Sequence, residues 1–137
     1  MPTVKYGRLI EEDTWDPDAV YKKAIMFDVD DIGKLRIRGS ESLRHFLAKS
    51  ILMYYLLRLK HRVVCEVEIA GCAVIDVFDI DTNVMYELET ERSIANIMRN
   101  KEKYHQAGVD LVIIQLPRHT TDIGEMADYV KRFIRPD

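Results

Sequence analysis

Eight carboxylates crowd the stretch from Val63 to Glu91, namely Glu66, Glu68, Asp76, Asp79, Asp81, Glu87, Glu89 and Glu91, with no Lys or Arg among them. The stretch before it, Lys34 to Arg62, has the opposite bias, eight Lys and Arg against the single acid Glu41. Segments of −8 and +7 therefore adjoin in a chain whose formal total is only −3. A surface that needed only solubility would intersperse the signs. The separation points to a site that holds a cation and faces an anion.

The acidic stretch reads as three strands, Val63 to Ile69, Ala73 to Ile80 and Val84 to Thr90, with turn residues at Ala70-Gly71 and Asp81-Thr82-Asn83. Alternation puts Glu87 and Glu89 on one face of the third strand. A two-residue turn at Thr82-Asn83 sets Asp76 opposite Glu89 and Phe78 opposite Glu87, which brings Asp76 to the same face. A three-residue loop at 70–72 adds Glu66 opposite Asp76 and completes a row of four. Like charges so placed repel, and a hard divalent cation is the natural neutraliser. Mg²⁺ suits a site with few carboxylates, and a pair of such ions can serve phosphodiester hydrolysis. The bland alternative is an exposed polar strand face, and Asp79, Asp81 and Glu91 are assigned to that face or to turns. Asp76 and Glu87 are different because apolar neighbours flank each, Ile75 and Val77 in one case and Tyr86 and Leu88 in the other.

Around these strands the chain supplies helices. Ser40 is the expected N-cap of a helix running to about His61, with Leu43, Phe46, Leu47, Ile51, Tyr54 and Leu57 as its core stripe. Its C-terminal half is apolar all round, which means burial or a subunit contact. Glu41, His45 and Lys49 follow one line along it, and the pair His45 and Lys49 reads as solvated or phosphate-facing, with a catalytic pair as the alternative. Lys34 to Arg38 alternates basic and apolar residues as a strand with one wet face would. Thr90 or Ser93 starts a further helix closed by Gly108. The apolar run Val109 to Leu116 then reads as a buried strand parallel to a neighbour. Asp122 caps a last amphipathic helix.

The order α-β-β-β-α-β, with Asp76 in the second strand and Glu87-Leu88-Glu89 in the third, resembles the PD-(D/E)XK nuclease superfamily. The resemblance spans roughly Ser40 to Leu116 and includes the passage from Tyr104 to Ile114. It implies a restriction-endonuclease-like α/β fold, a mixed sheet flanked by helices, and a metal-dependent endonuclease or nuclease-like DNA-processing protein. It makes Asp76 and Glu87 the ligands of Mg²⁺ or Mn²⁺, helped by the Glu89 carbonyl and by Glu66 or Glu41. Glu89 stands where the family usually has its catalytic lysine, and Lys49 or Lys101 on a helix can supply that group. Arg36, Arg38, Arg44, His45 and Lys101 are the expected nucleic-acid contacts, within a basic wall that includes Lys34, Arg58, Lys60 and Arg62. The alternative is a catalytically inactive nuclease-fold protein that binds nucleic acid or protein.

At 137 residues, 47% hydrophobic and 31% charged, the chain can bury its own core without staples. Residues 1–38 are expected to form an extension packed on the domain or on a partner, and 39–137 the nuclease-like domain. Cys65 and Cys72 read as reduced packing residues of a cytoplasmic protein. The most apolar run, Ser50 to Leu59, is far short of the ~20 residues that span a bilayer, so no membrane partner is expected. DNA and a second copy of the chain are.

Overall fold

The computed structural model describes residues 4–6, 25–39, 41–69, 73–89, 109–117 and 122–134. In chain order these form strands β1 (Val4–Tyr6) and β2 (Ile25–Asp28), a 3-10 turn (Val29–Asp31) and helix α1 (Leu43–Arg58). Strands β3 (Val63–Ile69), β4 (Ala73–Asp79), β5 (Val84–Glu89) and β6 (Asp110–Gln115) follow, then helix α2 (Ile123–Lys131). The strands make one sheet in sequence order, antiparallel from β1 to β5, and β6 joins β5 in parallel. The protein is thus α/β with a mixed sheet. The second expected helix, with Thr90, Ser93 and Lys101, lies outside the described residues.

Strand β6 runs parallel to β5, and its apolar residues reach both layers of the core. Val112, Ile114 and Leu116 join the layer under the helices, while Val109 and Leu111 join the opposite layer. Helices α1 and α2 cover one face, where Ala48, Leu52 and Leu56 meet Val63, Val77, Tyr86 and Val130. On the other face Ile25, Phe27, Val64, Val67, Ile75, Phe78 and Met85 form a second buried layer.

Several expectations are corrected here. The cap of α1 is Ser42, whose side chain accepts from the His45 N–H, rather than Ser40, and the helix ends at Arg58 rather than near His61. Its buried face is Ala48, Lys49, Leu52, Met53 and Leu56, while Leu43, Tyr54 and Leu57 of the expected stripe are exposed. Apolar residues occur all round this helix, so periodicity alone did not choose the face. Residues 34–38 are irregular rather than a strand. They lie along β3 by contacts to one side chain instead of a ladder, since Arg36 N–H donates to Cys65 Sγ at 2.9 Å and the Cys65 thiol donates to the Lys34 carbonyl. Burial pushes the Cys65 thiol up, which keeps it neutral for that role.

The candidate carboxylate and cation site

Register decides which acids meet. Ile69 pairs with Ala73, which leaves residues 70–72 as the connection and sets Glu66 opposite Asp76 as the three-residue loop requires. The next turn is longer than expected. Asp79 pairs with Val84 and Phe78 with Met85, so residues 80–83 make the connection and Asp76 falls beside Glu87 rather than Glu89. The cause is Asp79, whose buried carboxylate accepts from the Asp81 and Thr82 N–H groups and closes a four-residue turn with Asn83 left-handed at φ 62°. Glu89 ends β5 opposite Gln115, and its carbonyl accepts from the Leu116 N–H at 2.7 Å.

Simple alternation also fails at one point, and that failure builds the site. In β3, Val63 and Cys65 face the helices and Val64 and Val67 face the other layer. The phase shift falls at Glu66, a non-glycine residue held at φ 57°. Such a backbone costs about 1 kcal/mol or more, and it turns the side chain without shifting the register, since Cys65 pairs with Val77 before it and Val67 with Ile75 after it. Opposite it, Ile75 and Phe78 lie in one layer while Val77 lies in the other, so β4 shifts phase at Asp76. Both carboxylates are thereby turned toward the start of α1. The β4–β5 ladder ends at Val77 and Tyr86, and Asp76 Oδ2 takes the Leu88 N–H at 2.8 Å.

Facing them is the line Glu41, His45 and Lys49. Lys49 is fully buried, and its ammonium donates to the Arg36 carbonyl at 2.6 Å, to Glu41 at 2.9 Å and to Glu66 Oε2 at 3.2 Å. His45 lies between two acids, with Nδ1 on Glu41 and Nε2 at 3.3 Å from Asp76 Oδ1. Arg38 closes the outer side. Its Nε and terminal nitrogen reach Glu66 Oε1 at 2.8 and 2.7 Å, and the latter lies 3.9 Å from Asp76 Oδ1. The repulsion expected among the acids is therefore already offset by three cationic side chains of the chain itself, where a divalent cation was the expected neutraliser.

The protonation states follow. Burial works to raise the Asp76 pKa, but hydrogen bonds from His45, Glu87 and the Leu88 N–H hold it below the usual aspartate range. Burial likewise opposes the charge on Glu41, and Lys49, His45 and the Arg38 N–H outweigh it, leaving that carboxyl depressed as well. For His45 the hydrogen bond to Asp76 dominates over burial, and Glu41 adds to it, so the imidazole stays protonated to higher pH than usual. Glu87 is buried and bonded to Asp76.

Asp76, Glu87, Glu66, Lys49, His45 and Arg38 are brought together, with Glu41 joining them. Arg36 lies at the margin, its backbone carbonyl on Lys49 and its guanidinium 3.3 Å from Asp31. Arg44 instead ties α1 to the end of β6 through the Pro117 carbonyl. Arg58 rests on Tyr54, about 20 Å along α1 from His45, and Arg62 is paired with Asp81, so neither is placed in a wall with Arg38. Lys101 lies outside the described residues.

Sequence reasoning missed the Arg38 clamp and the buried pair of His61 Nδ1 with Asp79, 2.7 Å apart. The signal for Asp79 was present. It stands between Phe78 and Ile80 as Asp76 stands between Ile75 and Val77.

Among the described residues, no three His, Cys, Asp or Glu side chains are grouped to hold a metal ion. Mg²⁺ does not need an all-protein cage, because it binds through one or two carboxylates plus water and substrate phosphate. Ionised Asp76 beside Glu87 has the hard-oxygen donor chemistry that fits such an ion. Also among the described residues, no helix is long and apolar enough to cross a membrane. No family model, curated protein or solved structure matches this chain.

Proposed function

We propose that the protein is a metal-dependent endonuclease with a restriction-endonuclease-like, PD-(D/E)XK core, hydrolysing phosphodiester bonds in DNA with Mg²⁺ or Mn²⁺. The observation that carries this reading is the convergence of Glu66, Asp76 and Glu87 from three adjacent strands on the line Glu41, His45 and Lys49. The order α1-β3-β4-β5, with β6 parallel to β5, supports it too. Asp76 and Glu87 would hold the ion, and Glu66 would join them. When bound, such an ion offsets charge at the reacting phosphate and makes water a better nucleophile.

The chain's own residues supply the rest. Asp76 stays ionised at neutral pH, and the Leu88 N–H fixes one of its oxygens so that the other faces the site. Lys49 is a positioning residue in this reading, because its ammonium is fully engaged in holding Glu41, Glu66 and the Arg36 carbonyl. Lys34, Arg36 and Arg38 stand on an exposed segment at the margin, where cations position a phosphate backbone. The exposed Tyr54, Leu57 and Leu59 near the end of α1 offer a homodimer contact. A cytoplasmic setting keeps Cys65 reduced.

The test is cleavage of supercoiled, junction, flap and single-stranded DNA in Mg²⁺ or Mn²⁺. Wild type cuts, whereas Asp76→Ala and Glu87→Gln do not; equal cleavage by all three rules the reading out. One observation favours a second reading, a nuclease-fold protein that binds nucleic acid or protein without cutting it. Both Glu66 oxygens are already engaged, by Arg38 and by Lys49. In that case wild type binds Mn²⁺ no better than Glu87→Gln does.

A further inference from the structure

Arg38 occupies the place where the acids would otherwise meet a cation. Its guanidinium contacts Glu66 Oε1 through two nitrogens and stands 3.9 Å from Asp76 Oδ1, and Glu87 also acts on its charge. Glu66 Oε2 is held by Lys49 and Asp76 Oδ2 by the Leu88 N–H, while Asp76 Oδ1 also faces His45 Nε2 at 3.3 Å. The two oxygens next to Arg38 are therefore the ones a metal ion would use. A divalent ion and a guanidinium cannot share them without close repulsion.

The clamp is built to let go from one side only. Around Arg38 the backbone is fixed, because its N–H donates to Glu41, its carbonyl accepts from the Glu41 N–H, and Arg36 is pinned by Cys65 and Lys49. Its side chain is 42% exposed, whereas Lys49 behind the same glutamate is fully buried. Release needs rotation of one long side chain into solvent and no movement of the fold. What draws it outward is an anion that suits the guanidinium fork as well as a carboxylate does, and a phosphate does.

We propose that Arg38 is a phosphate-operated gate on the metal site. The phosphodiester backbone of DNA draws the guanidinium off Glu66 Oε1 and away from Asp76, and Glu66 Oε1 then accepts a divalent ion beside Asp76 Oδ1, where His45 stays within 3.3 Å. Metal and nucleic acid thereby bind cooperatively, each strengthening the other by the same factor. The gate rests on the reading of Asp76, Glu87 and Glu66 as a metal site.

Mn²⁺ titrations followed by electron paramagnetic resonance test it, using wild type, Arg38→Gln and Arg38→Lys, each with and without a short DNA duplex. Without DNA, Arg38→Gln binds Mn²⁺ roughly tenfold more tightly than wild type, within the usual range of coupling between two sites. The duplex tightens Mn²⁺ binding by wild type by a similar factor and leaves Arg38→Gln unchanged. Arg38→Lys keeps the charge without the fork and gives an intermediate affinity, which preserves the test should the glutamine variant fail to fold. Equal Mn²⁺ affinity in wild type and both variants overturns the gate and leaves the metal site standing. Weaker binding by Arg38→Gln also overturns it, since Arg38 would then be aiding the ligands. Absence of Mn²⁺ binding in all three overturns the metal site and the gate with it.

Discussion

Replacing Lys49 by methionine removes a buried ammonium while nearly keeping its volume, and so isolates the charge. Glu41 and Glu66 then remain largely inaccessible, with side chains 2% and 11% exposed, and each has lost its interior partner. Breaking a buried ion pair from one side costs about 3–5 kcal/mol. Glu41 keeps His45 and Glu66 keeps Arg38, which puts the expected loss at the lower end, about 3 kcal/mol. An unfolding entropy of about 2.1 cal/mol/K per residue gives ~0.3 kcal/mol/K for this chain, so Tm falls by about 10 °C. Thermal melts by circular dichroism at neutral pH read this directly. Adding Glu66→Gln to Lys49→Met restores part of the loss, because the stranded charge and not the missing volume causes it. A fall of less than about 3 °C would show that Lys49 holds no ion pair and would refute the reasoning about this hub.

Further outcomes are expected from the same structure. Leu52→Ala on the buried face of α1 costs about 2–5 kcal/mol in urea melts, whereas Leu57→Ala on its exposed side costs under ~1 kcal/mol. His45 has a raised pKa, so its contribution is complete below about pH 6.5 and is lost as pH rises through the higher folded value. Stability measured across that window declines in wild type and declines less in His45→Gln. Asp76 has a depressed pKa, so its contribution is present above about pH 3.9 and is lost as pH falls through the folded value. Asp76→Asn therefore shows a shallower acid limb in the same titration. Asp79→Ala leaves the Asp81 and Thr82 N–H groups and His61 without their acceptor and costs about 3 kcal/mol by chemical denaturation.

Much of the frame was legible because it rests on local chemistry. The 70–72 connection, the parallel β6 and the Asp122 cap follow from turn residues, an apolar run and a capping side chain. The shared line of Glu41, His45 and Lys49 was also visible, as helical spacing dictates. What those residues face was not. The Arg38 clamp depends on an irregular segment, Lys34 to Arg38, whose alternation imitates a strand although its backbone is held by Cys65 and Lys49. The pairing of Asp76 with Glu87 depends on a turn two residues longer than its Thr82-Asn83 signal, closed by Asp79, whose turn role is legible but whose burial is not. Above all, the phase shift at Glu66 and Asp76 goes with the left-handed backbone at Glu66, inside an unshifted register, and period-two patterning has no means of expressing it.

A crystal structure grown with Mn²⁺ and DNA tests the central claim most directly, through the anomalous signal of the metal. The account predicts a peak bonded to Asp76 and Glu87, with the Arg38 guanidinium moved from Glu66 to a phosphate. An absent peak at saturating Mn²⁺, with Arg38 still on Glu66 and His45 still on Asp76, would contradict it.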